Sequence, residues 1–500
     1  LFLGSGVLDS SSLSAYANSL STWANALIDG GDILLYSCSI AQGQIGQDFV
    51  INLAQLTHAD IAASDDLTGS YSLGGDWDLE VNVGQINSDL LNQNVNLSQY
   101  DILLDTVTWD GGGDGTTWHD PLNWDGDILP GETDDIIIDL EENPAIIFNL
   151  ESGDVTVNSL ELHENMTFSG GSLTISSGFS VYSNCTNNSG GNIDCQSIEL
   201  YSGSSMLIND GTIVSADVVE ILDGGIMELN TSATFGTMHI YSGGILTHTA
   251  GQDGFDLTIT GDLTIDEGGA VDASGKGYGS TSGPGHGSAY NAGSEVRGAG
   301  GAGYGGVGGS AWSSGGVSYG SITNPDQLGS GGGYCDGVYS SRANGGSGGG
   351  LIKLNVTGTL TNNGILSVDG KNGSTGTYPA SFRWAGGGGS GGSIYLTVGT
   401  LAGTGTVSVN GGNGGFADLA GGGAGGRIYL KYEHNEFSGT YSISGGIGRR
   451  NGDFGTMWVD MPPVGIDSLE DFEDGWEGWY TDNSIWQIGT PTTGPSEAYG

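Results

Sequence analysis

Residues 198–244 read IELYSGSSMLINDGTIVSADVVEILDGGIMELNTSATFGTMHIYSGG, and the fold is decided here. Short β-like couplets of apolar residues alternate with Ser-Gly, Asp-Gly and Asn-Asp pairs, the residue types that close tight turns. An anchoring apolar position can be followed outward in both directions: Leu162, Val181, Leu200, Ile221, Ile240 and Ile259, with steps of 19, 19, 21, 19 and 19 residues. One coil of a parallel β-helix needs about that length, two or three short strands with turns between them. Each coil turns Val, Ile and Leu inward and shows Ser, Thr and Asp to water. The fold class expected is therefore mainly β: a right-handed parallel β-helix, a solenoid, over residues 140–460.

Downstream the repeat changes form but keeps its logic. DLTITGDLTIDEGGAVDASGKG (256–277) is echoed by LIKLNVTGTLTNNGILSVDGKNG (351–373), SIYLTVGTLAGTGTVSVNGGNG (393–414) and RIYLKYEHNEFSGTYSISGGIG (427–448). Gly-rich excursions separate these copies, the longest over about 278–350. Their glycines lack the triplet period of collagen and are mixed with Tyr, Trp and Cys. The composition fits either an ordered loop layer or a flexible linker, with the ordered layer preferred.

Charge is the strongest compositional signal. Ten Lys plus Arg stand against 58 Asp plus Glu, for a net charge of −48, and the first strong cation is Lys276. The cation-free first half cannot neutralise phosphates by counterion release, which excludes nucleic acid as its partner. So acidic a surface is best tolerated where salt or divalent ions screen it. No apolar run reaches the 18 residues of a membrane span, so no membrane insertion is expected. Leu1 is not a Met, and 496–500 stop inside what reads as a domain start, so the chain reads as a piece of a longer one. Cys185 and Cys195 are spaced to pair across one turn of a solenoid, or to remain free.

Residues 1–104 have a different texture. Leu13, Tyr16, Ala17, Leu20, Ala24, Leu27 and Ile28 recur at helical spacing. A short apolar strand is expected at 33–36, and a second helix with Ile45, Phe49, Leu53 and Leu56 on one face. A strand at 59–63 and a hairpin over 71–81 complete the expectation of a small, N-terminally incomplete α/β domain. The run LYSCSIAQGQIGQDFVINLAQLTHADIAASDDLTGSYSLGGDWDLEV (35–81) resembles an uncharacterised domain found near the N-terminus of giant bacterial surface proteins. His58 stands where that family usually has Gly. The family is distantly similar to caspase-like cysteine peptidases. That resemblance implies Cys38 as a catalytic candidate, with a His-Gly pair that would precede Leu1; the structural alternative is a buried thiol at a strand end.

Residues 105–139, with Trp109, Trp118 and Trp124 among Gly and Asp, resemble the Trp-Asp-rich segments that lead into β-helical repeats in bacterial adhesins. They are expected to cap the solenoid. Asp110, Asp114, Asp120, Asp125 and Asp127 supply hard oxygens within this stretch. Asp110, Asp114, Asp125 and Asp127 are the calcium candidates, although neither EF-hand spacing nor a calcium-binding nonapeptide is present. Residues 461–500 resemble the first strands of a jelly-roll sandwich. Several G-x-S-x-G and G-x-G-x-x-G matches follow from 97 glycines and carry no weight.

The resemblances and the repeat together imply an extracellular adhesion module, part of a large secreted surface protein, that binds a matrix or cell-surface polysaccharide or a protein. Aromatics in the excursions are its expected contacts, Trp312, Tyr319, Tyr334 and Trp384 foremost, with pinning of the loops as the competing role. Two rivals stand beside it. One is a β-helical polysaccharide-degrading enzyme using paired carboxylates, Asp266 with Asp272 or Glu267. The other is a cysteine peptidase-like processing activity of the first domain.

Overall fold

The computed structural model describes residues 106–460 apart from 141–143, 189, 292–294, 338–340 and 378–382. Before them it describes 2–3, 6–7, 13, 16–23, 31–36, 40–66, 68–69 and 76–88. The chain divides at Asp460, and the second unit, Met461–Gly500, with the expected jelly-roll strands, lies outside the described residues.

Two parallel sheets, of 14 and 10 strands, run through residues 106–460 and make the solenoid. Each coil gives the larger sheet a strand that bends midway and gives the smaller sheet a short one. In Ser172–Val181 the bend is a register shift between Ile175 and Gly178. Alternation sends every second side chain inward, as in Asn192–Leu200, where Ile193, Cys195, Ile198 and Leu200 are buried. Burial of each such aliphatic side chain is worth about 1.5–3 kcal/mol, so the coil repeat is itself the source of stability.

The anchoring column is real. Leu162, Val181, Leu200, Ile221 and Ile240 are successive register partners, all fully buried. The sixth member is corrected. Ile240 is followed by Ile265, a step of 25 residues, whereas Ile259 stacks on Phe235 in the preceding segment. This coil is longer because Thr249–Gly254 adds a turn, with Gly251 donating to the Lys276 carbonyl. The extra length happens to place another apolar residue at the old spacing.

Cys185 and Cys195 are free thiols. Cys185 lies in the short-strand column between Met166 and Met206, while Cys195 pairs with Ile175 and Ala216 in the larger sheet. The two sit on different segments of the coil, and burial pushes each thiol up to about 12. At the turns, Asn230 Nδ2 donates to Asn209 Oδ1 (2.9 Å), and Asn209 Nδ2 to Asn188 Oδ1 (3.1 Å), tying successive coils together.

The Trp-rich stretch opens the solenoid rather than standing apart from it. Thr106–Thr108 pairs with Asp135–Ile138 in the larger sheet. Trp109, Trp118 and Trp124 are buried and meet edge to face, with ring centroids 4.7–4.8 Å apart about Trp124. Trp118 continues onto Phe148 and Phe168, so the rings plug the first coil.

The long excursion leaves after Asp272 and returns at Leu351, where the coil resumes in register, Val271 against Leu366 and Ile259 against Val356. Within the described residues of the excursions, the segments 298–305, 384–392 and 419–426 are buried throughout. Their hydrogen bonds repeat every three residues. Gly386, Gly389 and Gly392 donate to the carbonyls of Ser374, Lys371 and Val368. Gly387 and Ser390 donate to Gly333 and Ser330, and Gly388 and Gly391 to Gly421 and Ala424. Segment 421–426 repeats the scheme toward Ala299 and Ala302, Arg450 and Asp453, and Gly412 and Val409. Three successive N–H groups aimed at three different neighbours mark a helix with three residues per turn, the polyproline-II geometry, here cross-bonded into a lattice. A β-strand would alternate between two. The segments approach so closely that a Cβ on Gly421 would stand 1.8 Å from the Gly309 carbonyl oxygen.

In the first hundred residues, Asp32–Leu35 pairs in parallel with Asp60–Ala63, and the helix Gly43–Thr57 lies between them in sequence. Phe49, Val50, Leu53 and Ile61 form its core. His58 ends the helix in a left-handed conformation (φ 54°), the conformation for which Gly is favoured. Of the expected hairpin, 71–75 lies outside the described residues. Val81–Val83 instead pairs antiparallel with Asp60–Ala63.

Candidate functional site

The charge is partitioned along the chain. Residues 276–460 hold all ten Lys and Arg with nine Asp and Glu, a net of +1, which leaves −49 for the rest. Residues 276–460, the glycine lattice with the last coils, are thus nearly neutral, and six of their ten cations lie over described aromatic rings.

Four loops converge at one edge of the lattice. Val296, Trp312 and Phe416 pack against the buried Ala385, Leu419 and Ala420. Two guanidiniums lie over Trp312, that of Arg449 at 3.8 Å and that of Arg297 at 5.0 Å from the ring centroid. Arg383 lies 4.9 Å over Phe416. Phe416 holds φ 43°, a strained setting for a bulky residue, and its carbonyl accepts the Leu419 N–H at 2.6 Å. The lattice fixes the backbone beneath: Arg449 N–H donates to Ala420, and the Arg450 carbonyl accepts from Gly422. Arg297 is further engaged by the Val296 carbonyl (3.0 Å) and Glu295 (2.9 Å), and Arg383 by Asp418 (2.7 Å), whereas among the described residues the Arg449 guanidinium has only its ring and so keeps donors to offer an oxyanion.

The other expected contacts fall differently. Trp384 is 2% exposed among Ala299, Cys335 and Ala343, so it pins the lattice and offers no face to a ligand. Tyr319 is anchored, its hydroxyl donating to the Leu328 carbonyl (2.6 Å) and meeting Ser330 Oγ (2.8 Å); burial pushes its phenol well above the usual range. Tyr334 lies under the Arg342 guanidinium at 3.7 Å, and Arg342 pairs with Asp336 at 2.7 Å. Only Trp312 of the four belongs to the converging edge. Tyr378 and Phe382, two further aromatics of the excursions, lie outside the described residues, as does Cys38.

The carboxylates at 110–127 are engaged in turns. Asp114 Oδ1 accepts from the Thr116 and Thr117 N–H groups and from Asn123 Nδ2, bonds that hold its carboxyl down at about 2. Asp110 Oδ1 accepts the Gly112 N–H. Asn123 is buried, and its Oδ1 accepts from Gly113 and Gly115. Asp125 and Asp127 lie in a short turn of 3-10 helix. Among the described residues, one trio of carboxylates could bring ligand oxygens within 4.8 Å of one another: Asp65, Asp66 and Glu80 in the first domain, not the 110–127 stretch.

A second stripe escaped the sequence reading. The positions after the anchors carry His163, Tyr182 and Tyr201, stacked at 4.2 and 4.1 Å, and further along Tyr241 with His239 at 3.8 Å. Glutamates flank it: Glu161 meets His163 (2.6 Å), Glu199 accepts from Tyr201 (2.5 Å) and Glu220 from Tyr241 (2.7 Å). The hydrogen bond to Glu220 pushes Tyr241 up to about 12. Because the rings face one another, this stripe ties coils together more than it offers stacking faces. Asp266 is held by His239 at 3.0 Å, and Asp272 accepts the Ser274 N–H at 2.9 Å.

Comparison with known proteins reaches only the first domain. Residues 1–104 match a domain of unknown function, DUF4347. No curated protein and no solved structure matches the chain. Among the described residues no helix is long and apolar enough to cross a membrane.

Proposed function

We propose that this chain is an extracellular adhesion module of a large surface protein, which binds a matrix or cell-surface polysaccharide without cleaving it. The solenoid is the stiff acidic body, and the glycine lattice presents the contact surface. One observation carries the reading: Trp312, Phe416 and three arginines converge on an edge whose backbone is fixed by the lattice. Preorganised aromatic and Arg groups of this kind bind at low entropic cost. A surface protein also accommodates a charge of −48, because salt and divalent ions outside the cell screen it.

The test is a pull-down on a panel of polysaccharides, with and without calcium, reading bound protein and released reducing sugar in the same tube. Retention without sugar release is the expected result. Sugar release that follows the protein through purification would replace this reading with the β-helical hydrolase. Absence of retention on every polysaccharide would leave a protein surface as the partner.

A further inference from the structure

We infer that the Trp312–Phe416 edge is a site for an acidic polysaccharide, one bearing carboxylate or sulfate groups. The inference rests on the polysaccharide-binding reading and specifies its ligand. Arg297, Arg383 and Arg449 each lie over an aromatic ring, and Arg450 follows in the same loop. A guanidinium laid on a ring keeps its fork of donors at a set angle, and that fork matches carboxylate and sulfate oxygens.

The local counter-charges are exposed and exchangeable, while the Val296 carbonyl holds Arg297 Nη1 (3.0 Å). Arg297 pairs with Glu295 at 2.9 Å and Arg383 with Asp418 at 2.7 Å, through carboxylates that are 59% and 62% exposed. Exposed pairs of this kind hold weakly and exchange for an incoming oxyanion. Among the described residues no carboxylate lies within 4.0 Å of the side chain of Arg449 or Arg450. A chain with net charge −48 gathers three arginines over the two rings of this edge and, among the described residues, gives Arg449 no carboxylate partner. Arg449 and Arg450 are both exposed to solvent.

A second copy of this chain also carries negative charge, but it would bring its full −48 with it. At physiological salt the Debye length is about 8 Å, so a slender glycan senses the local edge while two whole copies still repel each other. The glycan is the occupant that the charge distribution favours.

The experiment uses the full chain in affinity electrophoresis through gels containing alginate, chondroitin sulfate or neutral dextran, at two salt concentrations. Alginate and chondroitin sulfate separate the carboxylate arm from the sulfate arm. At least one should retard the wild type, less so at high salt, while dextran does not. The double substitution Arg297→Gln with Arg449→Gln should weaken retardation about tenfold, and Arg449→Lys, which keeps the charge and loses the fork, should fall between. Unchanged melting temperatures confirm that both variants fold. Retardation that survives the double substitution overturns the inference. Retardation by dextran equal to that by alginate overturns it while leaving the polysaccharide reading intact, and no retardation in any gel overturns it and returns the polysaccharide reading to the wider panel. Sedimentation showing self-association that the double substitution abolishes, without retardation, assigns the edge to a second copy and likewise overturns it.

Discussion

Gly387 lies against the carbonyl of Gly300 so closely that a Cβ placed on it would stand 1.9 Å from that oxygen. The neighbour is backbone, already bonded in the lattice, and cannot swing aside as a side chain would.

Gly387→Ala should therefore destabilise the chain by about 2–5 kcal/mol, the range of severe overpacking. Gly279→Ala should be neutral within about 0.5 kcal/mol, because no atom lies within 4 Å of its Cβ position and its φ is ordinary. Chemical denaturation followed by Trp fluorescence checks both. Equal stability of the two variants would mean that the lattice is not closely packed at Gly387.

His248 joins the solenoid to the lattice. Its Nδ1 is bonded to the Thr249 carbonyl (2.9 Å), and its Nε2 accepts the Leu351 N–H (3.2 Å), so the ring fits only when neutral. Burial lowers its pKa; Lys276 adds to this and Glu228 opposes it. The unfolded chain then binds the proton first. Stability from this group is complete above about pH 6.5, and it is lost as pH falls from there toward the lower folded value. His248→Gln should remove that part of the slope. Melting curves of the two proteins between pH 4 and 8 should converge in steepness only above about 6.5.

Cys185, Cys195 and Cys335 are all buried. With the first two thiols pushed up to about 12, none of the three should react with a thiol reagent at pH 8 until the chain unfolds. In denaturant all three should become reactive. Reaction of any of them in the native protein would contradict the coil packing described here.

The sequence exposes the solenoid because its period is written in side chains: Leu162 to Ile240 form a column that any coil of that length must bury. It misleads at Ile259, where a longer turn at Thr249–Gly254 shifts the register while another aliphatic residue falls on the expected spacing. The tryptophan plug was visible for the same reason, as three large rings next to the first coil. The lattice was not. Its order lies in backbone donors, and Gly386, Gly387 and Gly388 look identical in sequence although each bonds to a different neighbour. Collagen keeps a triplet signature because one residue in three meets the axis, whereas here an interior segment has neighbours on all three sides and needs a small residue at every position. Trp384 and Trp312 read alike as aromatics among glycines, and only packing separates the buried pin from the half-buried edge residue. The arginines carried a usable signal, since every cation follows residue 275.

The threefold bonding of the lattice also sets a grammar for how its segments can change in length. One or two residues inserted into 386–392 would turn every later N–H toward the wrong neighbour, so that donors meant for Lys371 and Val368 would face Gly421 or Gly333. Three residues would complete a turn and return each donor to its own side. Among chains that share this lattice, interior insertions and deletions should come in threes, a reading frame imposed by the fold rather than by the genetic code.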